Sequence, residues 1–592
     1  MRMKPLSGIC SGLRAISIAV IAVSGLLDGP TAMGQSYTWN TTGGGSWNQS
    51  SNWAGSGTAF PNGFNDTAVV SQDISGTTTI NLNTAIMLNR LTVGDSNNVS
   101  PSGYVIAPSG GSLTFRNAQS GTSPRPFITS TNGANAITAP ITVDNAVLAI
   151  SNTGGGTLSL AGISSVRGGG YRFNDTNTKV SSGLTSVNGI ANVFAVFGTT
   201  DWATYDPITG AVGQLGSYGS LAGSSGTTNV TQFNGATLSA NTSMNSFRWT
   251  TSNNPTLQLG NSDMTIVSGG FLRGSGANTT TISATNGRLM TPTGVPLTLW
   301  QNSSNNMTIN AAVAVDGLNV AGRVTFTNSA NTFGSGDINL ISGNVTAFNY
   351  LSPSLSNNVN IGNGGGTQFQ FNPGSSSTMT LSGTVMVNGV LSGNANGSYA
   401  IGTLKGFGSG TVTPVTVLNT LAPGDEGTGT LDFLSNLTLS GSSTYRVELG
   451  GTTPGDGPGF YDQVNMTLST GSVTLNSGAG LNISLIDGFA PSATDMFFIL
   501  TRADLAEWTT KFAGFEEGAS ITLGSYTGSV TYKANWTGSQ STSTATGGND
   551  FAIVPVPEPG TMTLLALGGL TTAGIRWRHR SRQRRCITAR VG

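Results

Sequence analysis

Short runs of alternating apolar and polar residues are the feature of this sequence that most restricts its fold. Residues 264–266 (Met-Thr-Ile) and 481–485 (Leu-Asn-Ile-Ser-Leu) alternate with a period of two, and glycine, asparagine and serine bound such runs. This pattern is typical of half-buried β-strands between turns. Almost no stretch has the period of a helix, and the best helical candidate is the short segment 502–512. The sequence therefore predicts an all-β protein.

The spacing of these runs predicts how the strands are arranged. From residue 81 to about residue 423, units of strand, turn and strand recur about every 20–25 residues. Repeats of this length form stacked rungs, in which each strand pairs with the next rung and inward side chains make one continuous core. About twenty rungs, each rising about 4.8 Å, would form a rod of roughly 100 Å. We therefore expect an elongated parallel β-solenoid with N- and C-terminal caps.

One segment carries a family resemblance. Residues 317–326 hold a glycine-spaced strand, 331–334 read Asn-Thr-Phe-Gly, and 338–345 form a second strand that ends at a glycine and a valine. This order resembles the autotransporter-associated β-strand repeat, although that family usually has tyrosine in place of Phe333. The resemblance implies a right-handed parallel β-helix that serves as a secreted, surface-displayed passenger.

The first 34 residues have the layout of a secretory signal peptide. Basic residues precede an apolar stretch at 15–27, and the small residues Ala32 and Gly34 follow. We predict cleavage between Gly34 and Gln35. A retained membrane anchor is the alternative, but thirteen apolar residues fall short of the about 20 that a spanning helix needs.

The last residues combine three features in order. Pro557, Glu558 and Pro559 precede an apolar run at 562–575, which predicts a short hydrophobic transmembrane helix. A basic cluster follows, comprising Arg576, Arg578, Arg580, Arg582, Arg584 and Arg585. This order resembles the PEP-CTERM sorting tail. The resemblance implies transient anchoring in the inner membrane, processing by an exosortase-type enzyme, and then a place at the cell surface, in the outer membrane or in the extracellular matrix. A permanent, unprocessed anchor is the alternative.

The residues between these signals restrict the chemistry. The cysteines Cys10 and Cys586 and the single histidine His579 lie in the terminal segments. The body thus has no thiol nucleophile, no Ser-His-Asp triad and no zinc site with His or Cys ligands. Acidic residues outnumber basic ones there, which argues against a nucleic-acid partner. We expect no enzymatic activity, no cofactor and no metal.

Two groups of residues suggest carbohydrate contact. Trp39, Trp47 and Trp53 could stack on sugar rings, or they could plug the open first rung, since solenoids need end caps. Asp201, Trp202, Tyr205 and Asp206 place two carboxylates and two aromatic rings together, as a sugar site would, although a polar turn explains the carboxylates equally well.

We therefore expect the following divisions: signal peptide 1–34, N-terminal cap and first rungs 35–100, repeat region 101–420, C-terminal rungs and cap 421–554, sorting tail 555–585 and tail end 586–592. The leading hypothesis is an exported, non-catalytic surface or matrix protein. An adhesin that binds extracellular polysaccharide is the second hypothesis. A carboxylate-based polysaccharide lyase or hydrolase is the third.

Overall fold

The computed structural model describes most of the body of the chain. The described residues are 34–55, 60–97, 102–117, 125–250, 254–274, 279–303, 305–341, 347–350, 354–363, 367–371, 378–393, 397–408, 413–425 and 427–556. Over these residues the chain is all-β, with one 3-10 turn at Ser50–Asn52. Residues 502–512, the best helical candidate in the sequence, form the end of a strand followed by irregular structure.

The first stack contains the strands from residue 36 to residue 214. They are β1 (Ser36–Trp39), β2 (Gly45–Ser46), β3 (Trp53–Gly55), β4 (Thr67–Val70), β5 (Thr78–Leu82), β6 (Ile86–Leu88), β7 (Arg90–Val93), β8 (Tyr104–Pro108), β9 (Leu113–Phe115), β10 (Phe127–Ser130), β11 (Ala134–Ile137), β12 (Ile141–Asp144), β13 (Val147–Asn152), β14 (Thr157–Leu160), β15 (Ile163–Val166), β16 (Gly170–Phe173), β17 (Thr178–Val180), β18 (Ser186–Val187), β19 (Ile190–Ala191), β20 (Ala195–Phe197), β21 (Asp201–Tyr205) and β22 (Val212–Gln214).

The first stack has three main sheets, which the chain visits in a repeating order. For example, β4, β5 and β6 lie in three different sheets, and β7 returns to the sheet of β4 and pairs with it in parallel. Within that sheet, Leu91, Ile128, Ile150 and Phe173 occupy paired positions on successive strands. All four side chains are buried, so alternation within each strand produces one apolar column along the stack.

The second stack contains the strands from residue 229 to residue 555. They are β23 (Asn229–Gln232), β24 (Ala236–Thr237), β25 (Thr242–Trp249), β26 (Thr256–Gln258), β27 (Met264–Arg273), β28 (Thr280–Ser283), β29 (Arg288–Met290), β30 (Leu297–Gln301), β31 (Met307–Ile309), β32 (Ala312–Ala314), β33 (Leu318–Ala321), β34 (Val324–Phe326), β35 (Ile338–Ile341), β36 (Ala347–Tyr350), β37 (Ser354–Leu355), β38 (Val359–Ile361), β39 (Gln368–Phe371), β40 (Thr378–Val387), β41 (Val390–Gly393), β42 (Ser398–Gly406), β43 (Val415–Pro423), β44 (Thr430–Phe433), β45 (Leu437–Leu439), β46 (Thr444–Leu449), β47 (Gln463–Met466), β48 (Val473–Leu475), β49 (Gly480–Leu485), β50 (Phe497–Arg502), β51 (Ser520–Leu523), β52 (Tyr526–Ala534) and β53 (Asp550–Pro555).

The second stack repeats with nearly constant spacing along its central part. Leu299, Val320, Leu340 and Ile361 are paired in turn on β30, β33, β35 and β38, at intervals of 20 or 21 residues. These intervals match the spacing predicted from the sequence. Long strands such as β27 continue around a corner, so that β27 pairs in parallel with both β29 and β30. The stack ends in antiparallel strands, where β51 pairs with β52 and β53 lies between β50 and β52.

The two stacks lie side by side and run in opposite directions. The ring of Phe64 stacks on that of Phe407 at 5.2 Å between centroids. Further along the first stack, the amide of Asn117 donates to the backbone oxygen of Asn363 at 2.9 Å. At the far end, Nε1 of Trp300 donates to the oxygen of Val193 at 2.8 Å. The expected single rod is therefore wrong: the chain folds back on itself, and the break lies inside the predicted repeat region 101–420.

Three kinds of contact hold the stacks together. One end of the interface is apolar and includes Trp202, Leu272 and Trp300. In the middle, the side-chain amide of Asn117 donates to the backbone oxygen of Asn363 at 2.9 Å, and that of Asn363 donates to the backbone oxygen of Asn117 at 3.2 Å. Gly168 of the first stack has a φ of +75°, and a Cβ there would lie 2.7 Å from Oδ1 of Asn319. Glycine thus suits both the backbone conformation and the close approach of the stacks.

The third contact is a buried cluster of four charged side chains. Arg116, Asp144 and Arg167 come from the first stack, and Asp425 comes from the second. Nη2 of Arg116 lies 2.9 Å from Oδ2 of Asp425, and Nη1 of Arg167 donates to Oδ1 of Asp425 at 2.7 Å. Each carboxylate thus lies between two guanidinium groups, which balances charges that are removed from water.

Candidate functional site

The last strand of the body is hydrogen-bonded on both sides. Val554 of β53 pairs with Ser529 of β52, and Ile553 pairs with Val530 of β52 and with Phe497 of β50. The backbone leaves this sheet after Pro555, and the next residue, Val556, is 46% exposed. The chain therefore passes directly from a paired strand to the surface.

Asp550 fixes the beginning of the same strand. Its Oδ1 accepts the backbone N–H of Arg502 at 2.6 Å, and its Oδ2 accepts that of Trp536 at 2.6 Å. Burial of the Asp550 carboxyl raises its pKa, and the two backbone donors oppose that shift. The carboxylate thus joins β53 to the strands on either side at the residue where β53 begins.

The three N-terminal tryptophans form a closed aromatic cluster. Trp39 and Trp47 are fully buried, and Trp53 is 6% exposed. The ring of Trp53 contacts Trp39 edge-on at 5.1 Å and Trp47 at 4.7 Å between centroids. Nε1 of Trp47 donates to the oxygen of Pro61 at 2.9 Å, and Nε1 of Trp53 donates to the oxygen of Trp47 at 2.7 Å. The ring faces are not accessible to a sugar, and the arrangement fits a plug at the first rung.

The predicted group at 201–206 is divided in the structure. Asp201 is buried and forms an ion pair with Arg248, and it also accepts hydrogen bonds from Gln214 at 2.7 Å and from Tyr218 at 3.2 Å. The ring of Trp202 is buried in the interface between the stacks.

Tyr205 and Asp206 of that group have different surroundings. Tyr205 belongs to the core of the first stack. Asp206 closes a turn by accepting the N–H of Ile208 at 2.9 Å and the hydroxyl of Thr209 at 2.6 Å, and these bonds lower the pKa of its carboxyl. The two carboxylates therefore serve separate structural roles.

The residues at the predicted signal cleavage lie at the start of the first stack. The N–H of Gln35, which follows Gly34, donates to Oδ1 of Asp66 at 3.1 Å. Pro557, Glu558, Pro559, the predicted hydrophobic helix and the arginine cluster 576–585 lie outside the described residues. Within the part of the chain that is described, no helix is long and apolar enough to cross a bilayer.

Comparison with known families identifies the segment that follows β53. Residues 555–581 match the PEP-CTERM protein-sorting motif. The motif indicates an exported protein with a C-terminal sorting signal of the exosortase type, which anchors it transiently before display at the cell surface. No curated protein was found to match the chain.

The PEP-CTERM match begins at the last residue of β53, since both include residue 555. The sorting signal is therefore joined to the folded body at a strand that is paired on both sides. Removal of the signal beyond Val556 would break no strand pairing that the structure describes.

A cleft in the second stack was not predicted from the sequence. It encloses about 390 Å³, and its charged lining residues are Lys405, Arg446, Glu448, Asp462 and Asp487. Lys405, Arg446 and Glu448 lie on strands and Asp487 lies in a turn, so the lining comes from segments up to 82 positions apart in the chain. The only local signal was the alternation Tyr445-Arg-Val-Glu-Leu449, which places Arg446 and Glu448 on the same outer face.

Proposed function

We propose that this protein is an exported, non-catalytic component of the cell surface or extracellular matrix, delivered by a sorting signal that an exosortase-type enzyme processes. The observation that carries the proposal is the position of the PEP-CTERM match, which begins at the last residue of a strand that is paired on both sides. A signal in this position can be cut away while the body keeps its final strand.

The proposal for the body is a pair of parallel β-helical stacks without enzymatic activity. The repeated visit to successive parallel sheets supports the β-helix, and the resemblance of residues 317–345 to the autotransporter-associated repeat supports a right-handed passenger. The absence of histidine and cysteine between the terminal segments supports a non-catalytic role. The engagement of Asp201 by Arg248 counts against hydrolysis by the carboxylates of residues 201–206, because a glycosidase needs two carboxyls free to act on one bond.

Processing is tested by the intact mass of the protein from membrane and extracellular fractions of its host. We expect a released species that begins at Gln35 and ends near 557–559. Glu558→Ala should trap the protein in the membrane fraction with its full tail, because the processing enzyme reads the Pro-Glu-Pro motif. The matched control is Glu507→Ala, which changes an exposed glutamate of the body. If the wild-type protein occurs only as a membrane species that retains Arg576–Arg585, the tail is a permanent anchor and the proposal fails.

Separability of the signal gives a second prediction. A chain that ends after Val556 should melt within about 1–2 °C of the processed wild-type protein, because β53 keeps both of its neighbours. A chain that ends after Asn549 should lose several degrees, since it lacks β53 and leaves the backbone groups of β50 and β52 unpaired. Thermal unfolding followed by circular dichroism distinguishes the two truncations. Equal melting temperatures for both would contradict the structural role given to β53.

A further inference from the structure

One row of outward-facing positions runs along the second stack. Its first part carries buried asparagines, and from Lys405 onward it is no longer covered by the first stack. The register of β30, β33, β35, β38, β40, β42 and β43 aligns Thr298, Asn319, Asn339, Asn360, Met386, Lys405 and Ala422. The amide-bearing part of the row is buried against the first stack, as the contact of Gly168 with Asn319 shows. The first stack ends near Phe64 and Phe407, so the row beyond this point faces open space.

The open part of the row forms the floor of the 390 Å³ cleft. Lys405 and Ala422 are paired, and Arg446 lies on the next strand, β46, so the two cations flank Ala422. Two rung spacings separate their backbones by about 10 Å. Within the described residues, neither Lys405 nor Arg446 forms an ion pair. Two cations without a protein partner thus face the same cleft.

Acidic groups line the same cleft. Glu448 lies two residues after Arg446 on the same outer face of β46, and Asp487 follows β49. Asp462 lies deeper, where its oxygens accept the N–H groups of Gly429 and Glu448, each at 2.8 Å. Burial raises the pKa of the Asp462 carboxyl well above its usual value, and its two backbone hydrogen bonds oppose that shift.

The lining sets the chemistry of the ligand. Cations that lack a protein partner favour a carboxylate, through charge-assisted hydrogen bonds. The carboxylates of Glu448 and Asp487 accept hydrogen bonds and therefore favour hydroxyl groups. The remaining lining residues are glycine, alanine, proline and Ile486, which offer no large apolar pocket for a peptide side chain. A chain of sugar acids combines a carboxylate with several hydroxyls at this size.

We propose that the cleft binds a short segment of an acidic polysaccharide, with one uronate carboxylate between Lys405 and Arg446 and sugar hydroxyls donating to Glu448 and Asp487. This inference rests on the proposed function, because such a ligand is met outside the cell. Its test uses purified protein in solution and does not depend on sorting. A failure of processing and a failure of binding are therefore separate results.

Isothermal titration of the processed protein with oligogalacturonate, and with a neutral cello-oligosaccharide of equal length, tests the proposal. We expect binding of the acidic oligomer alone, with an affinity that falls as salt increases. The double variant Lys405→Gln/Arg446→Gln should weaken binding at least tenfold. The matched control is Lys179→Gln/Lys533→Gln, which removes two exposed cations elsewhere and should leave the affinity unchanged.

A second variant separates loss of charge from loss of fold. Ala422→Phe fills the floor between the two cations and keeps both charges, so it should also abolish binding while the melting temperature stays within a few degrees. Absence of binding by the wild-type protein, equal binding of the neutral oligomer, or unchanged affinity in the Lys405→Gln/Arg446→Gln variant would each overturn the proposal. Preferential binding of an acidic peptide over the oligogalacturonate would overturn the assigned ligand class.

Discussion

Asp425→Ala is expected to lower the free energy of unfolding by about 3–5 kcal/mol. The side chain of Asp425 is 2% exposed and lies between Arg116 and Arg167, which reach it from the other stack. Its removal leaves the two guanidinium groups, whose side chains are only 9% and 15% exposed, with Asp144 as their one remaining carboxylate in the cluster. Chemical denaturation of the purified protein measures the loss, and hydrogen exchange of the backbone amides shows whether it is centred on the interface.

Asp263→Ala is the matched control for that experiment. Asp263 pairs with Arg288 at 2.8 Å, but the two side chains are 24% and 49% exposed. An ion pair in contact with water contributes about 0–1 kcal/mol, so this variant should be close to wild type. If both variants cost the same, the cluster between the stacks contributes no more than a surface pair.

The same cluster predicts how the interface responds to acid. Burial alone would raise the pKa of Asp425, but hydrogen bonding and charge from Arg167 and Arg116 outweigh it and hold the pKa below its usual value. A lowered pKa in the folded state means that the stabilisation is present above about pH 4 and is lost as the pH falls through the folded-state pKa. The Asp425→Ala variant should therefore show less loss of stability between neutral and acidic pH than the wild-type protein.

Trp47→Ala is expected to cost about 3–5 kcal/mol and to act locally. Trp47 is fully buried, and the centroid of its ring lies 4.7 Å from that of Trp53. Its Nε1 donates a hydrogen bond to the backbone oxygen of Pro61. The substitution leaves a cavity at the first rung and frees a buried carbonyl oxygen. Hydrogen exchange should accelerate in β1, β4 and β5 and remain slow in the second stack.

Trp508→Ala provides the comparison at the other end of the body. The ring of Trp508 is partly exposed and packs against Arg502 and Tyr532, so we expect a smaller loss of stability than for Trp47→Ala.

Trp47→Ala should also leave the oligogalacturonate affinity unchanged, because the aromatic cluster and the cleft are separate sites. A Trp47→Ala protein of wild-type stability would show that the cluster is not a structural cap.

The parts of the fold that could be predicted are those that depend on neighbouring residues. Alternation within a strand follows from its two faces, so the strands around Val320 and Leu340 and their spacing could be recognised in the sequence. For Trp39 and its two neighbouring tryptophans, the sequence allowed either a sugar-binding surface or a plug of the first rung. A tryptophan in a glycine-rich segment has the same local sequence pattern whether it is buried or exposed.

The features that could not be predicted depend on residues far apart in the chain. The fold-back occurs between Gln214 and Asn229, and this segment is rich in glycine and serine like the ordinary turns. The sequence around Arg116 and the sequence around Asp425 contain no pattern that indicates their pairing. The cleft likewise depends on which strand lies beside which, and alternation fixes only the face on which a side chain lies.

The opposite directions of the stacks have a consequence for the order of folding. Contacts within a stack join residues about one rung apart, whereas Arg116 and Asp425 are separated by 309 positions. The loop-closure entropy of such distant contacts places docking of the stacks after the rungs have formed. During synthesis from the N-terminus, the first stack is complete while its partner surface is still being made. This docking surface carries arginine, aspartate and asparagine beside its apolar end, so it can remain exposed to solvent without aggregating. A wholly apolar surface of the same size would promote aggregation.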